Sequence, residues 1–121
     1  MAKFKFDHIH LMSPAPAKTA EFYQKMFGAT MLDPIEMGNG KVMLSVDLGG
    51  VTMLISTTTD EKQYGLAHFG IKTPHLQKAV DELKADGVKF TLEVTKISPT
   101  LTISFVQAPD NLRMELSEGG R

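Results

Sequence analysis

Polar and apolar positions alternate through His8-Ile9-His10-Leu11. In a strand this puts both imidazoles on one face and Ile9 and Leu11 on the other. After Ser13-Pro14 the period changes. In "PAKTAEFYQKMFG" the residues Thr19, Ala20, Phe22, Tyr23, Met26 and Phe27 share one side of a helical wheel, with Lys18, Glu21, Gln24 and Lys25 opposite. Ser13 is expected to cap this helix, Gly28 to end it in the left-handed position, and Phe22 and Tyr23 to be helix core. Three strand-like runs follow, at Thr30–Glu36, Lys41–Leu48 and Val51–Ser56, joined by turns at "MGNG" and "GG".

The same order then returns. "HFGIKTP" at His68–Pro74 repeats the His-apolar-x-apolar-x-Ser/Thr-Pro pattern of His8–Pro14. The helix signal "PHLQKAVDELKADG" carries its stripe on Leu76, Ala79, Val80 and Leu83, starts at Thr73-Pro74 and stops at Gly87. Strands are expected at Val88–Val94, Thr102–Gln107 and Leu112–Ser117, with turns at Ser98-Pro99 and Pro109-Asp110-Asn111, and "EGGR" as a loose tail. The fold class is therefore α+β: a single domain of two βαβββ modules, about 1–59 and 60–121.

A chain of 121 residues with 42% apolar and 22% charged residues has the balance of a soluble globular domain. Its net charge of −1, without a basic run, argues against nucleic acid or an anionic membrane as partner. The N-terminal stretch lacks the apolar core of a signal peptide and no segment is long enough to span a bilayer, so a cytoplasmic location is expected. Cysteine is absent, which excludes disulfides, zinc–thiolate sites and thiol nucleophiles. Catalysis would fall to His, Glu, Asp, Ser, Tyr, Lys or a cofactor.

Alternation sorts the candidates. In the fifth strand Phe69 and Ile71 should pack on a helix, turning His68 and Gly70 away. In the last strand Leu112, Met114 and Leu116 share one face, leaving Arg113, Glu115 and Ser117 on the other. His8, His68 and Glu115 thus fall on helix-free faces, and two imidazoles with one carboxylate suit a divalent ion: iron, manganese, nickel, cobalt or zinc. Residues this far apart in sequence also fit hydrogen-bonded strand-end histidines and a surface carboxylate. The equivalent placement of His8 and His68 in two modules favours the metal reading. His10, on the ligand face, is a candidate general base or substrate ligand, or else a cavity-lining residue. His75 reads as surface, Arg113 as half of a surface ion pair, the methionines as core, and "GNGK" at Gly38–Lys41 as a hairpin turn.

The chain resembles the vicinal oxygen chelate superfamily, which includes glyoxalase I, extradiol dioxygenases, methylmalonyl-CoA epimerase, fosfomycin-resistance enzymes and bleomycin-binding proteins. The resemblance rests on His8 before "EFYQKMFGA", on "GLAHFGIKT", and on "APDNLRMEL", which is similar to an Asp-Pro-Asp-Gly-x-x-x-Glu-Leu ending with Ala108 for its first Asp and Asn111 for its Gly. It implies half-barrel sheets with helices outside, a divalent metal cofactor held by His8, His68 and Glu115, and a small-molecule substrate bound through two adjacent oxygens. It implies a glyoxalase-like lyase or isomerase, or an extradiol-type dioxygenase, with His10 and Glu115 as catalytic residues. The alternative is a non-catalytic binding protein of the bleomycin-resistance kind. "VTMLIS" at Val51–Ser56 has no Glu, Gln or His where glyoxalase I and the epimerase place a further ligand, so a three-ligand site is expected. The small two-module members often pair modules from different chains. The resemblance thus implies a homodimer, with His8 of one protomer facing His68 and Glu115 of its partner.

Overall fold

The computed structural model describes residues 3–38 and 40–121. It divides into two compact units, one holding His8–Ala67 and the other the chain before His8 together with His68–Arg121. Both are α+β.

Strand β1 (Lys5–Ser13), in the first-half unit from His8 onward, leads to helix α1 (Pro16–Phe27), then β2 (Thr30–Met31), β3 (Ile35–Glu36), β4 (Val42–Leu48) and β5 (Val51–Thr57). β1 pairs parallel with β5, β5 antiparallel with β4, and β4 with both β2 and β3. Ala20 of α1 packs with Ala29, Val46, Met53 and Ile55, and Ile9, Leu11 and Tyr23 close over them. That packing fixes the sheet's helix-covered face and turns His8 and His10 to the opposite one.

Two expectations for this unit need correction. The continuous strand Thr30–Glu36 is broken: Met31 pairs with Val46, but Ile35 pairs with Met43 and Glu36 with Val42. One extra residue has entered the β2–β3 side, at the Asp33-Pro34 step. Proline lacks the N–H that would continue the ladder, so a bulge forms there. The second correction concerns Phe22, which is 50% exposed, as are Met26 (65%) and Phe27 (62%). α1 meets the sheet along Ala20 and Tyr23. Phe22 and Met26, one turn apart, flank that line, and the Phe22 ring contacts Phe27 at 5.7 Å and Tyr23 at 5.3 Å. At the "GG" turn Gly49 (φ +60°) and Gly50 (φ +95°) take the left-handed pair that a two-residue hairpin needs between Leu48 and Val51. The turn expected at Gly38–Lys41 has Met37 N–H donating to Lys41 O at 3.0 Å; its Asn39 lies outside the described residues.

The second-half unit runs β6 (Gly65–Lys72), α2 (Leu76–Ala85), β7 (Phe90–Ser98), β8 (Leu101–Ala108) and β9 (Leu112–Gly119). β6 pairs parallel with β9, β9 antiparallel with β8, and β8 with β7. Leu76 and Val80 of α2 pack with Val106 and Leu116, with Ile71, Met114 and Phe90 around them. Phe69 stacks on Phe6 at 5.8 Å.

Both helices begin the same way. Ser13 Oγ accepts the Ala15 N–H (3.0 Å), and Thr73 Oγ1 accepts the His75 N–H (3.3 Å). The helix-initiating residues are Ala15 and His75 themselves, in near-identical backbone conformations and without a side-chain cap. Ser13 therefore makes the turn before the helix rather than capping it. Among the described residues no helix is long and apolar enough to cross a membrane.

Candidate metal centre

In the second-half unit the parallel register sets Gly70 beside Glu115 and Ile71 beside Leu116. Since Ile71 and Leu116 pack toward α2, His68, Gly70 and Glu115 share the helix-free face. Gly70 places no side chain next to the carboxylate. His68 Nε2 lies 3.6 Å from Glu115 Oε2, and the two residues are only 8% and 5% exposed. A divalent ion with bonds of about 2.0–2.2 Å and adjacent ligands at roughly 90–110° sets its donors about 3–3.5 Å apart. The observed pair needs to close by a few tenths of an ångström, so one nitrogen and one oxygen of this half fit a metal.

The surroundings fix these two side chains. Phe105, opposite Glu115 on β8, meets the His68 ring edge-on at 5.1 Å and 90°. Arg113 lays its guanidinium over the Phe105 ring, 3.7 Å from the centroid, which replaces the surface ion pair expected for it. The "EGGR" segment is not a loose tail. β9 runs to Gly119, Gly120 N–H donates to Thr100 O at 3.0 Å, and Arg121 turns back to bond both Asp7 Oδ2, at 3.0 Å, and Glu115 Oε1. Gly119 makes the turn possible: its φ is +93°, and a Cβ there would stand 1.9 Å from Thr100 O. Lys72 Nζ lies 3.5 Å from Asp7 Oδ1.

In the first-half unit His8 is 1% exposed, and its ring centroid lies 6.3 Å from that of His10, the planes at 64°. His10 pairs with Leu54 in the ladder, and its Nε2 is 2.8 Å from Ser56 Oγ. β5 thus presents a hydroxyl to His10. His75 is exposed, as expected.

Each unit therefore brings together two of the expected site residues: His8 with His10, and His68 with Glu115. Sequence reasoning missed four others. Ser56 needed the β1–β5 register, which sets Leu54 beside His10 and so Ser56 on the same face. Phe105 was findable only with the β8–β9 register in hand. Asp7 and Arg121 carried no local signal, because their connection to Glu115 is made by a chain reversal at Gly119.

Among solved structures, a hypothetical protein from Bacillus halodurans is similar, with a TM-score of 0.81 at 16% identity over 98% of this chain and 96% of that one. Methylmalonyl-CoA epimerase from Mycobacterium tuberculosis has a TM-score of 0.76 at 15% identity, covering 96% and 88%. A variant of the Streptomyces coelicolor epimerase in complex with 2-nitronate-propionyl-CoA has a TM-score of 0.75 at 16% identity, covering 97% and 98%. At such identities the likeness shows the fold alone. No curated protein sequence matches the chain. The profile of one family spans residues 5–116 and so covers both units, from β1 through Glu115: the chain belongs to the Glyoxalase/Bleomycin resistance protein/Dioxygenase superfamily.

Proposed function

We propose that this chain is a metal-dependent enzyme of the glyoxalase/dioxygenase type that binds a small molecule through two adjacent oxygens on one divalent ion held by His8, His68 and Glu115. The observation that carries the reading is the buried convergence of His68 Nε2 and Glu115 Oε2 at 3.6 Å on the helix-free face. His8 occupies the equivalent position of the repeated module and is itself buried. When bound, the ion supplies Lewis-acid polarisation of a chelated carbonyl. The remaining chemistry belongs to the chain. His10 accepts a proton on its imidazole from the carbon beside that carbonyl, and Ser56 Oγ, 2.8 Å from Nε2, fixes the ring's orientation. Phe105 packs edge-on against His68, so this imidazole is already ordered for an ion. The absence of Glu, Gln or His from β5 leaves more positions for substrate oxygens than a four-ligand site has. The same reading includes a cytoplasmic location and a homodimer, the dimer supported by the family resemblance and by the exposed Phe22, Met26 and Phe27.

Metal analysis of protein purified without a histidine tag tests this directly. About one equivalent of a divalent metal per chain is expected. His68→Ala should lower metal affinity at least tenfold while His75→Ala leaves it unchanged. Equal metal content in the two variants would remove the site. Tight binding of an antibiotic by metal-free protein, with no turnover of any dicarbonyl or catechol substrate, would move the assignment to the binding-protein branch.

A further inference from the structure

Glu115, a candidate metal ligand, already carries a cation. Arg121 bonds its Oε1, while its Oε2 faces His68 at 3.6 Å. The Arg121 side chain is itself only 16% exposed and also bonds Asp7 Oδ2 at 3.0 Å, and Lys72 stands 3.5 Å from the other oxygen of Asp7. Two carboxylates and two cations thus meet in this cluster. A buried carboxylate such as Glu115, 5% exposed, is costly without an opposing charge, and Arg121 provides it. A divalent ion at Glu115 would place two more positive charges beside the Arg121 guanidinium, where both side chains are largely withdrawn from solvent. Arg121 and the ion would then compete for one buried carboxylate. Lys72 bears on Asp7 and its side chain is half exposed, so water already screens it. Arg121 follows Gly119-Gly120, beyond the β8–β9 ladder, whose last register pair is Leu101 with Gly119. Arg121 is therefore the cation that a metal at Glu115 would meet directly.

From this we infer that Arg121 is a displaceable placeholder for the metal: it neutralises Glu115 in the metal-free protein and gives way when a divalent cation binds. The inference rests on the metal site proposed above and adds a regulation to it. Metal affinity is held down by an internal competitor, and metal loading releases the Gly119–Arg121 segment from Glu115.

The test is a Co(II) titration followed by visible absorption, together with thermal melting with and without Co(II), on the full chain and on Arg121→Met and Arg121→Lys. Arg121→Met should bind Co(II) about tenfold more tightly than the unaltered protein. Its metal-free form should melt several degrees lower, and saturating Co(II) should remove most of that deficit. Arg121→Lys, which keeps the charge but cannot span Asp7 and Glu115 with one fork, should show a smaller gain in affinity. It remains measurable even if Arg121→Met folds poorly. Unchanged or weaker Co(II) binding in both variants, with the unaltered protein binding normally, overturns the placeholder and leaves the metal site standing. If no protein of the three binds Co(II), the metal site itself falls, and the placeholder with it.

Discussion

Asn111 and Asp110 sit in succession at φ +62° and +65°, between the last pair of β8 and the first of β9. Left-handed backbone costs most L-residues about 1–2 kcal/mol, and Asn and Asp less because their short polar side chains bond locally. That explains how Asn111 can stand where the resembling family motif has glycine. Asn111→Gly should raise stability by about 0.5 kcal/mol and Asn111→Ala lower it by about 1 kcal/mol, read as urea midpoints at unchanged slope. Four residues on, Glu115 was legible in the sequence, because period two assigns its face once Met114 and Leu116 are seen as core. His8 and His68 were legible for the same reason. Arg121 was not, since no periodicity reports a contact made by a side chain folding back across a glycine turn. His10 falls between these cases: its face could be read, its partner Ser56 only from the β1–β5 register. As a general base held by that hydroxyl, His10 should leave metal content intact when replaced by alanine but cut turnover roughly a hundredfold or more. Normal turnover in His10→Ala would reduce it to a lining residue.

At the scale of elements, the paired helix starts show the repeat in physical form. Ser13 and Thr73 are buried, and each hydroxyl accepts the N–H two residues on, bending the chain out of a strand and into a helix. Ser13 Oγ also meets Thr19 Oγ1 at 2.8 Å, inside the first turn of α1. Loss of one such hydrogen bond costs about 1 kcal/mol, and a buried donor or acceptor left unsatisfied about 1–3 kcal/mol. Thr73→Ala should therefore destabilise by about 1 kcal/mol and Ser13→Ala by about 2 kcal/mol, in that order in a denaturation series. The Ser-Pro and Thr-Pro signals located both helices correctly because a residue before proline resists helical backbone and so marks a boundary. They misassigned the cap by two residues, since the hydroxyl can serve a turn as well as a helix end. The Thr30–Glu36 run was misread for a related reason. Its apolar residues suit a strand, but Asp33-Pro34 interrupts them, and the pairing with β4 shows that this step shifts register.

At the scale of the molecule, what the helical wheel read as a buried stripe becomes an argument about assembly. Phe22, Met26 and Phe27 are exposed by half or more, and aromatic residues and methionine are the types enriched at the centres of protein interfaces. An aromatic side chain buries about 150–250 Å² when fully covered, so this patch offers on the order of 300–400 Å² per protomer. That is about half of the roughly 800 Å² each partner contributes to an interface of standard size. A homodimer resting on this patch alone should therefore be weak, with a dissociation constant in the micromolar range rather than the nanomolar one, unless neighbouring polar surface joins it. With a net charge of −1, long-range repulsion between copies is small. Sedimentation from about 1 to 100 µM should then show a concentration-dependent shift from monomer to dimer, weakly sensitive to salt. Met26→Glu places a charge in the middle of the patch and should hold the chain monomeric over that range without lowering its melting temperature, because Met26 contributes little to its own core. A dimer that persists in Met26→Glu would put the interface elsewhere. A monomer in the unaltered protein at 100 µM would leave the apolar face of α1 without a second copy to cover it.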